Sequence, residues 1–467
     1  MAAPEVSVPG DRPSLEGRSL RRYTIRLALA LAALTVIFSA APAILLPNQV
    51  QDMTFGTYFQ GQDADVDVAD LADLKSEVED GTVVPDAEQR RLLDAYESFD
   101  SSRASALGLV ATLAALASII SQVLVGVASD RTRSRLGRRA PWALAGAAAG
   151  CLALAGLRLS PSIAFLMLLW PLFVMAGNVV QTPLLATIAD RVPENRVGGV
   201  SSATGVGNFA GGVVGIVVTG ALFHVLGVDF YLLFGIVLLA AVAFLVFGSP
   251  DRSSRDVELP PFSWRTFLRG FLIPLTDADF RLVWVARALL FFGYTVSTAL
   301  SFFILQSYVE PGMSPSEATR FVPILGAVSA PAILVAVVVA GRLSDKLGRR
   351  KPFVIAASAL MAISFLIPLA SPTVPALVAQ AILGGLAFGI YLPVDQALFI
   401  DVLPDREDGA ARDLGVAGIA TNLGQLIGPV VAAGVVAATG GYRMIWLVAF
   451  VLVAAAAVAV VPVKRAR

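Results

Sequence analysis

The chain has 467 residues, of which 56% are hydrophobic and 15% charged, and its mean hydropathy is +0.75. This composition excludes an ordinary soluble globular protein and predicts a protein embedded in a lipid bilayer. The 35 Lys and Arg residues balance the 35 Asp and Glu residues, so the overall charge does not indicate a nucleic-acid partner. The single cysteine, Cys151, excludes an intramolecular disulfide and a thiolate metal cluster.

Twelve apolar stretches reach the length of about 20 residues that a helix needs to cross a bilayer. They lie at 24–47, 104–128, 142–158, 162–188, 199–224, 229–249, 281–308, 321–341, 354–371, 373–400, 414–439 and 443–462. They predict an all-α membrane protein with two six-helix bundles, at 24–249 and 281–462. We expect a tail at 1–23, a linker at 250–280 and a tail at 463–467.

The basic residues are distributed unevenly over this predicted topology. Most of the 35 Lys and Arg residues fall in the tails and in alternate loops, all on one side of the membrane. Such an asymmetry places the basic side in the cytoplasm. We therefore expect a multi-pass protein of the cytoplasmic membrane, with both termini and the linker in the cytoplasm.

An acidic segment at 48–103 separates the first two predicted helices, and we expect it to be an extracellular loop. Its sequence DADVD, from Asp63, spaces three acids like the opening of a calcium loop. The positions that should carry Gly and Glu are Val68 and Leu74, so the pattern does not predict a metal site. A solvated acidic loop is the simpler interpretation.

Several predicted helices carry polar side chains at helical spacing, and we expect these to line a substrate cavity. The candidates in the fourth, fifth and eleventh helices are Asn178, Gln181, Thr182, Asn208, Asn422 and Gln425. The fifth and eleventh helices are also rich in glycine. Small residues allow membrane helices to approach closely, which explains the glycines without a functional role.

The seventh and tenth predicted helices carry the remaining cavity candidates, Tyr294, Thr298 and Tyr391, and two charged residues, Arg287 and Asp395. Each charged residue lies six positions from the cytoplasmic end of its helix, about 9 Å along the axis. Because an unpaired charge in a membrane is costly, their matched depth predicts an ion pair. The alternative is that Arg287 extends to the membrane surface while Asp395 is hydrogen-bonded beside Tyr391.

Two loops of similar sequence indicate an internal duplication. GVASDRTRSRLGRRAPW at Gly126–Trp142 returns, shortened, as GRLSDKLGRRKPF at Gly341–Phe353. Aligning the Gly-Arg-Arg of the two loops gives an offset of 211 residues, and the same offset carries Asp190 onto Asp401. Two landmarks that share one offset favour a duplicated six-helix unit.

The shorter loop resembles the signature of the major facilitator superfamily of secondary transporters, and the longer loop resembles its sucrose-type and glycoside–cation symporter branches. The resemblance implies alternating access, with helices 1, 4, 7 and 10 around a central cavity. It also implies a cytoplasmic gate in which each loop acid faces the other half and each loop arginine pairs with a helix-ending acid. The residues that match this gate are Asp130, Arg138, Arg139, Asp190, Asp345, Arg349, Arg350 and Asp401.

These observations favour a transporter over an enzyme, since a single histidine, His224, and the lack of a phosphate-binding loop leave no catalytic pattern. A cavity with little fixed charge suits a neutral polar solute such as a sugar or glycoside. The second predicted helix lacks the acids that glycoside–cation symporters use there. We therefore expect proton-coupled symport through Asp395 and Arg287.

Two other functions fit the same residues: efflux of an amphiphilic compound by proton antiport, and a sensor that binds without transporting. For any of them we expect no cofactor beyond the proton gradient. The expected partners are a small-molecule substrate and the bilayer, without nucleic acid, and the protein is expected to act as a monomer.

Overall fold

A computed structural model of the protein describes residues 15–255, 273–403 and 410–465, and helices dominate these ranges. The helices are α1 (Gly17–Tyr58), α2 (Val68–Glu79), α3 (Ala87–Asp130), α4 (Ala140–Arg158), α5 (Ile163–Arg191), α6 (Glu194–Leu226), α7 (Phe230–Gly248), α8 (Ala278–Thr298), α9 (Ser301–Ser307), α10 (Pro315–Leu347), α11 (Lys351–Ala370), α12 (Val374–Val402), α13 (Ala410–Thr439) and α14 (Arg443–Val460). Helix α1 contains a π-helical turn at Ala41–Leu45, which includes Pro42.

Eleven helical stretches in the described residues are long and apolar enough to cross a membrane. One of them, Arg196–Gly248, has 53 residues, about 80 Å of helix against a hydrocarbon core of about 30 Å. It consists of α6 and α7, joined at Gly227, whose φ of +48° only glycine adopts readily. Divided at Gly227, the described residues provide twelve helical stretches that can cross a membrane, and the predicted all-α fold is confirmed.

The helices form two halves, α1–α7 and α8–α14, and the protein has two ends. Helix α1 begins and α14 ends at one end, together with the loops at 131–139 and 348–350. We call this end the tail face. The opposite end carries α2 and the chain around it, residues 59–86, and we call it the insertion face.

Glycines bring pairs of helices within each half into backbone contact. A Cβ atom at Gly211 of α6 would lie 2.7 Å from the carbonyl oxygen of Ala32 in α1. One at Gly424 of α13 would lie 2.7 Å from the carbonyl oxygen of Ala288 in α8. These glycines are 213 residues apart in the sequence. The duplication thus extends from the loops to the packing of the helices. Small residues such as these glycines allow membrane helices to approach closely.

The two halves meet along two helix pairs that also depend on small residues. Gly108 of α3 approaches α13, where an added Cβ would lie 2.9 Å from the Pro429 carbonyl oxygen. Gly220 of α6 approaches α10, where it would lie 2.9 Å from the Thr319 carbonyl oxygen. The space between the halves is bounded by these two contacts.

The acidic segment at 48–103 is mostly helical, well beyond the short helix at 87–99 that its apolar spacing indicates. Helix α1 continues to Tyr58, α2 follows, and α3 begins at Ala87, where Asp86 and Gln89 form a reciprocal cap. The first turns of α3 are polar, so hydropathy alone did not show that they extend a membrane helix. Asp63 of the DADVD pattern accepts two hydrogen bonds from Arg91, each 2.8 Å, which lower the pKa of its carboxyl group.

Candidate functional site

A cavity of about 270 Å³ lies between the halves and extends into the second half. Helices α8, α9, α10 and α12 form most of its wall, and its inner part reaches Met361, Phe365 and Trp446 of α11 and α14. Among the described residues, every side chain that lines it is uncharged. The contribution of the first half has no polar side chain: Pro42, Ala43, Pro47 and Ile216.

The polar side chains of the described cavity wall therefore all belong to the second half. The ring of Tyr294 stacks on Phe388, with centroids 5.0 Å apart and planes 15° apart. The Gln380 side chain lines the cavity and makes no hydrogen bond to any described residue. The indole N–H of Trp446, a residue only 3% exposed, is also without a partner there. The wall thus offers an aromatic face and the unpaired amide of Gln380, whereas the Trp446 N–H is buried away from the open space.

Two of the predicted cavity residues, Tyr294 and Thr298, line this cavity. Asn178 is instead 2% exposed and donates to Ser118 and Ser121 of α3 at 3.0 and 2.9 Å. It therefore joins α3 to α5 inside the first half. The structure gives Asn178 a packing role at a place where helical spacing alone predicted a solute contact.

The other polar candidates are dispersed. Asn208 accepts a hydrogen bond of 3.2 Å from Thr35, and Asn422 donates one of 3.3 Å to Gln122 across the halves. Gln425 is exposed, and Gln181, Thr182 and the buried Tyr391 do not line the cavity either. Helical spacing identifies a polar face but does not determine which way that face is turned.

Arg287 and Asp395 form the expected contact between α8 and α12. Arg287 Nε donates to Asp395 Oδ2 at 2.7 Å, and the residues are 7% and 2% exposed. The guanidinium also lies 4.1 Å from the ring centroid of Phe399 and donates to Gln396 Oε1 at 3.2 Å. Neither charge is therefore left unpaired within the membrane.

The ion pair and the aromatic pair lie on the same faces of the same two helices. Arg287 precedes Tyr294 by seven residues on α8, and Asp395 follows Phe388 by seven on α12. The ion pair thus lies about 10 Å closer to the tail face than the stacked rings. On α12, Gln380, Phe388 and Asp395 follow one another at spacings of eight and seven residues, so they lie on one face of the helix. Extending the predicted Tyr391–Asp395 stripe backwards would have identified Gln380 and Phe388.

At the tail face of the first half, the basic loop binds acids of the same half. Arg138 pairs with Asp190, and Arg139 Nε lies 3.1 Å from Asp190 Oδ2. Arg139 also lies 2.5 Å from Asp130 Oδ1. The expected pairing of the loop arginines with Asp190 is therefore present. Asp130 was expected to face the other half near Gly415, whose surroundings lie outside the described side chains.

The second half repeats this arrangement in part. Arg350 lies 2.8 Å from Asp401 Oδ1 and donates to the Ala397 carbonyl oxygen at 2.7 Å. Arg349 is exposed. The side chain of Asp345, the counterpart of Asp130, lies outside the described residues. The 211-residue repeat thus places equivalent arginine–aspartate pairs at equivalent positions of the two halves.

The sequence profile of the Major Facilitator Superfamily matches residues 92–335 and 291–467. The chain belongs to the major facilitator superfamily. A search of the curated proteins found no match. The superfamily expected from the loop motifs is confirmed, whereas the sucrose-type and glycoside–cation branches stay a prediction.

Solved structures of this superfamily fold resemble the chain over nearly its whole length. A bacterial homolog of the human lysosomal transporter Spinster, in an inward-facing and unoccupied conformation, has a TM-score of 0.63 at 15% identity, covering 95% of each chain. The nucleoside transporter NupG has a TM-score of 0.63 at 13% identity, covering 96% of this chain and 100% of its own. At these identities the likeness concerns the fold alone. Membership of the major facilitator superfamily makes the protein a secondary transporter rather than an enzyme.

Proposed function

We propose that this transporter carries a small, uncharged organic solute with a flat or apolar ring, such as a glycoside or nucleoside, by proton-coupled symport. This proposal rests on the cavity between the halves, whose described lining side chains are all uncharged. Transferring a charge into such surroundings without a partner is costly. A neutral solute avoids that cost and can still use the unpaired polar groups.

The chemistry of the wall narrows the class of solute. The stacked rings of Tyr294 and Phe388 present an apolar face to a sugar or base ring. The Gln380 amide can donate and accept at once. A solute with a ring and a polar edge satisfies all these groups, and the nucleosides named for NupG belong to this class.

Asp395 is the residue we assign to proton coupling, with Arg287 as its partner. A buried carboxylate is favoured in the charged form while an arginine contacts it and in the protonated form once that contact is lost. Movement of α8 against α12 would therefore couple proton uptake to the conformational cycle. We place the basic tail face in the cytoplasm, so that the pair lies on the inner side of the solute.

Counterflow in proteoliposomes tests the solute class. Neutral glycosides, nucleosides and uncharged dyes should exchange, whereas charged analogues of the same solutes should not. Gln380→Ala should weaken exchange of the active solute. Gln425→Ala, an exposed amide outside the cavity, is the matched control. Equal effects of the two substitutions, or efficient exchange of charged analogues, would contradict the proposed site.

Antiport efflux of an amphiphile is the second candidate, favoured by the apolar inner part of the cavity at Met361, Phe365 and Trp446. The direction of proton movement separates the two. Symport acidifies the lumen when solute is added outside, and antiport makes it alkaline. Solute binding without any flux would instead indicate a sensor.

A further inference from the structure

Helix α2 is fixed to the first half by apolar packing. Val68 and Leu71 are each 4% exposed and belong to a hydrophobic cluster with Phe59, Tyr96 and Phe99. All five residues belong to the first half. Apolar contacts of this kind are not directional and would be costly to expose to water. We therefore expect α2 to move together with α1 and α3.

Three hydrogen bonds join α2 to the second half. Asp73 Oδ1 accepts a hydrogen bond of 2.8 Å from the Gly312 amide. Ser76 Oγ donates to Glu310 Oε1 at 2.9 Å. Lys75 Nζ donates to the carbonyl oxygen of Gly440 at 2.7 Å. Water can replace hydrogen bonds at an exposed surface, so these contacts can separate at low net cost.

A buried polar network lies beneath α2 and also crosses between the halves. Its centre is Arg103, which is 0% exposed and donates through Nε to Asp100 Oδ1 at 2.8 Å. Arg103 Nη1 donates to Gln306 of the second half at 3.0 Å. Tyr442, also of the second half, donates to Asp100 Oδ1 at 2.9 Å. The Phe303 ring centroid lies 4.5 Å from the guanidinium carbon.

The two charges of this network belong to one turn of α3. If the halves separated here, Asp100 and Arg103 would stay paired, and only neutral partners such as Gln306 and Tyr442 would be exchanged for water. Breaking a buried ion pair would leave an uncompensated charge, whereas exchanging neutral hydrogen bonds avoids that penalty. The network thus stabilises the contact between the halves, and the halves can still separate without leaving a buried charge unpaired.

We propose that helix α2, together with Asp100 and Arg103, forms a gate on the insertion face. The gate moves with the first half and detaches from the second half whenever the cavity opens to that side. This inference rests on the alternating access of the proposed function but concerns a different part of the molecule. It assigns a role to residues 59–86, which the transport cavity does not use.

Thiol labelling tests the gate without knowledge of the solute. The background is Cys151→Ala with Thr298→Cys, which places one cysteine in the cavity, and the probe is a membrane-impermeant methanethiosulfonate reagent. Val84 lies on the insertion face and is 86% exposed. Rapid labelling of Val84→Cys therefore shows that the insertion face of the protein is on the side to which the reagent is added. The triple change Asp73→Ala, Lys75→Ala and Ser76→Ala should accelerate labelling at residue 298 severalfold.

The matched control is Asp63→Ala with Arg91→Ala, which removes an exposed ion pair of the same segment within the first half. It should leave the labelling rate unchanged. If the triple variant is labelled at the parental rate, or the control is labelled equally fast, the gate is refuted. Failure of the proposed function would appear separately, as a lack of counterflow in the parental protein.

Cross-linking tests the same gate in the closing direction. A short bis-maleimide first cross-links Ser76→Cys to Glu310→Cys. The thiol reagent is then added, and the cross-link should abolish labelling of the cysteine at residue 298 from the insertion face. The control cross-link joins Tyr58→Cys and Ser102→Cys, which contact each other within the first half. Labelling that persists after the first cross-link would refute the gate, even where the triple variant folds poorly.

Discussion

Two buried ion pairs in the part of the protein that the structure describes look alike and are built differently. Asp100 and Arg103 lie one turn apart on α3, and their neutral partners belong to the other half. Arg287 and Asp395 lie on two different helices of the second half. A pair on one helix stays together in every conformation, whereas a pair on two helices can separate. The first is suited to holding the halves together, and the second to changing its charge state.

The largest effect is expected from Arg103→Ala, which leaves the Asp100 carboxylate buried without its cation. Breaking a buried pair in this way costs about 3–5 kcal/mol, so we expect a marked fall in the thermal unfolding temperature in detergent. The double variant Asp100→Asn with Arg103→Gln removes both charges and should recover much of the loss. If the double variant were as unstable as the single one, charge pairing would not be the cause.

Asp395→Asn comes next and distinguishes the two pairs by function. We expect it to abolish solute accumulation driven by a pH gradient while sparing counterflow, which needs no net proton movement. Asp100→Asn is the comparison variant, and its solute accumulation should still respond to the pH gradient. Gradient-driven uptake that survives in Asp395→Asn would end the coupling proposal.

Gln380→Ala should have an intermediate effect. Loss of a neutral hydrogen bond to the solute is worth about 0.5–1.5 kcal/mol, so the solute affinity should fall about two- to tenfold, measured as the half-saturating concentration in counterflow. The unfolding temperature should stay close to that of the parent, because Gln380 has no hydrogen-bond partner in the described protein. A large loss of stability would point to a packing role instead.

The smallest effects are expected from the tyrosine beside each pair. Tyr442→Phe removes the hydrogen bond to Asp100 and should cost about 1 kcal/mol of stability, with faster labelling of the cavity from the insertion face. The Tyr391 hydroxyl makes no hydrogen bond within the described protein. Tyr391→Phe should therefore change stability less. If Tyr442→Phe and Tyr391→Phe lowered stability equally, the two ion pairs would not differ in their dependence on the neighbouring tyrosine.

The sequence predicted the features that depend on composition and repetition. Twelve spans follow from hydropathy. The family resemblance led us to expect Asp190 and Asp401 beside loop arginines, and Arg139 and Arg350 lie beside them in the structure. The contact between Arg287 and Asp395 followed from equal depth on two helices. Depth along a helix can be calculated from residue number, because the rise per residue is constant.

The features that the sequence missed depend on helix rotation and on polar helical turns. Asn178 and Tyr294 each lie on a polar face, but only Tyr294 is turned towards the cavity. Asp100 and Arg103 fell in a segment predicted as a loop, because the first turns of α3 are too polar for a hydropathy test. The three-residue spacing of Asp100 and Arg103 was the available signal, since it is that of a helical ion pair.

The one-sided cavity wall has a thermodynamic consequence. Every polar side chain of the described cavity wall belongs to the second half, while the side chains of the first half there are apolar. A solute held in this way keeps its polar contacts whichever way the halves are tilted. A ligand with equal affinity for two conformations does not shift the equilibrium between them. Under the proposed coupling, the free energy that biases the conformational cycle would then come from proton binding. The solute would stay bound to the second half without favouring either conformation.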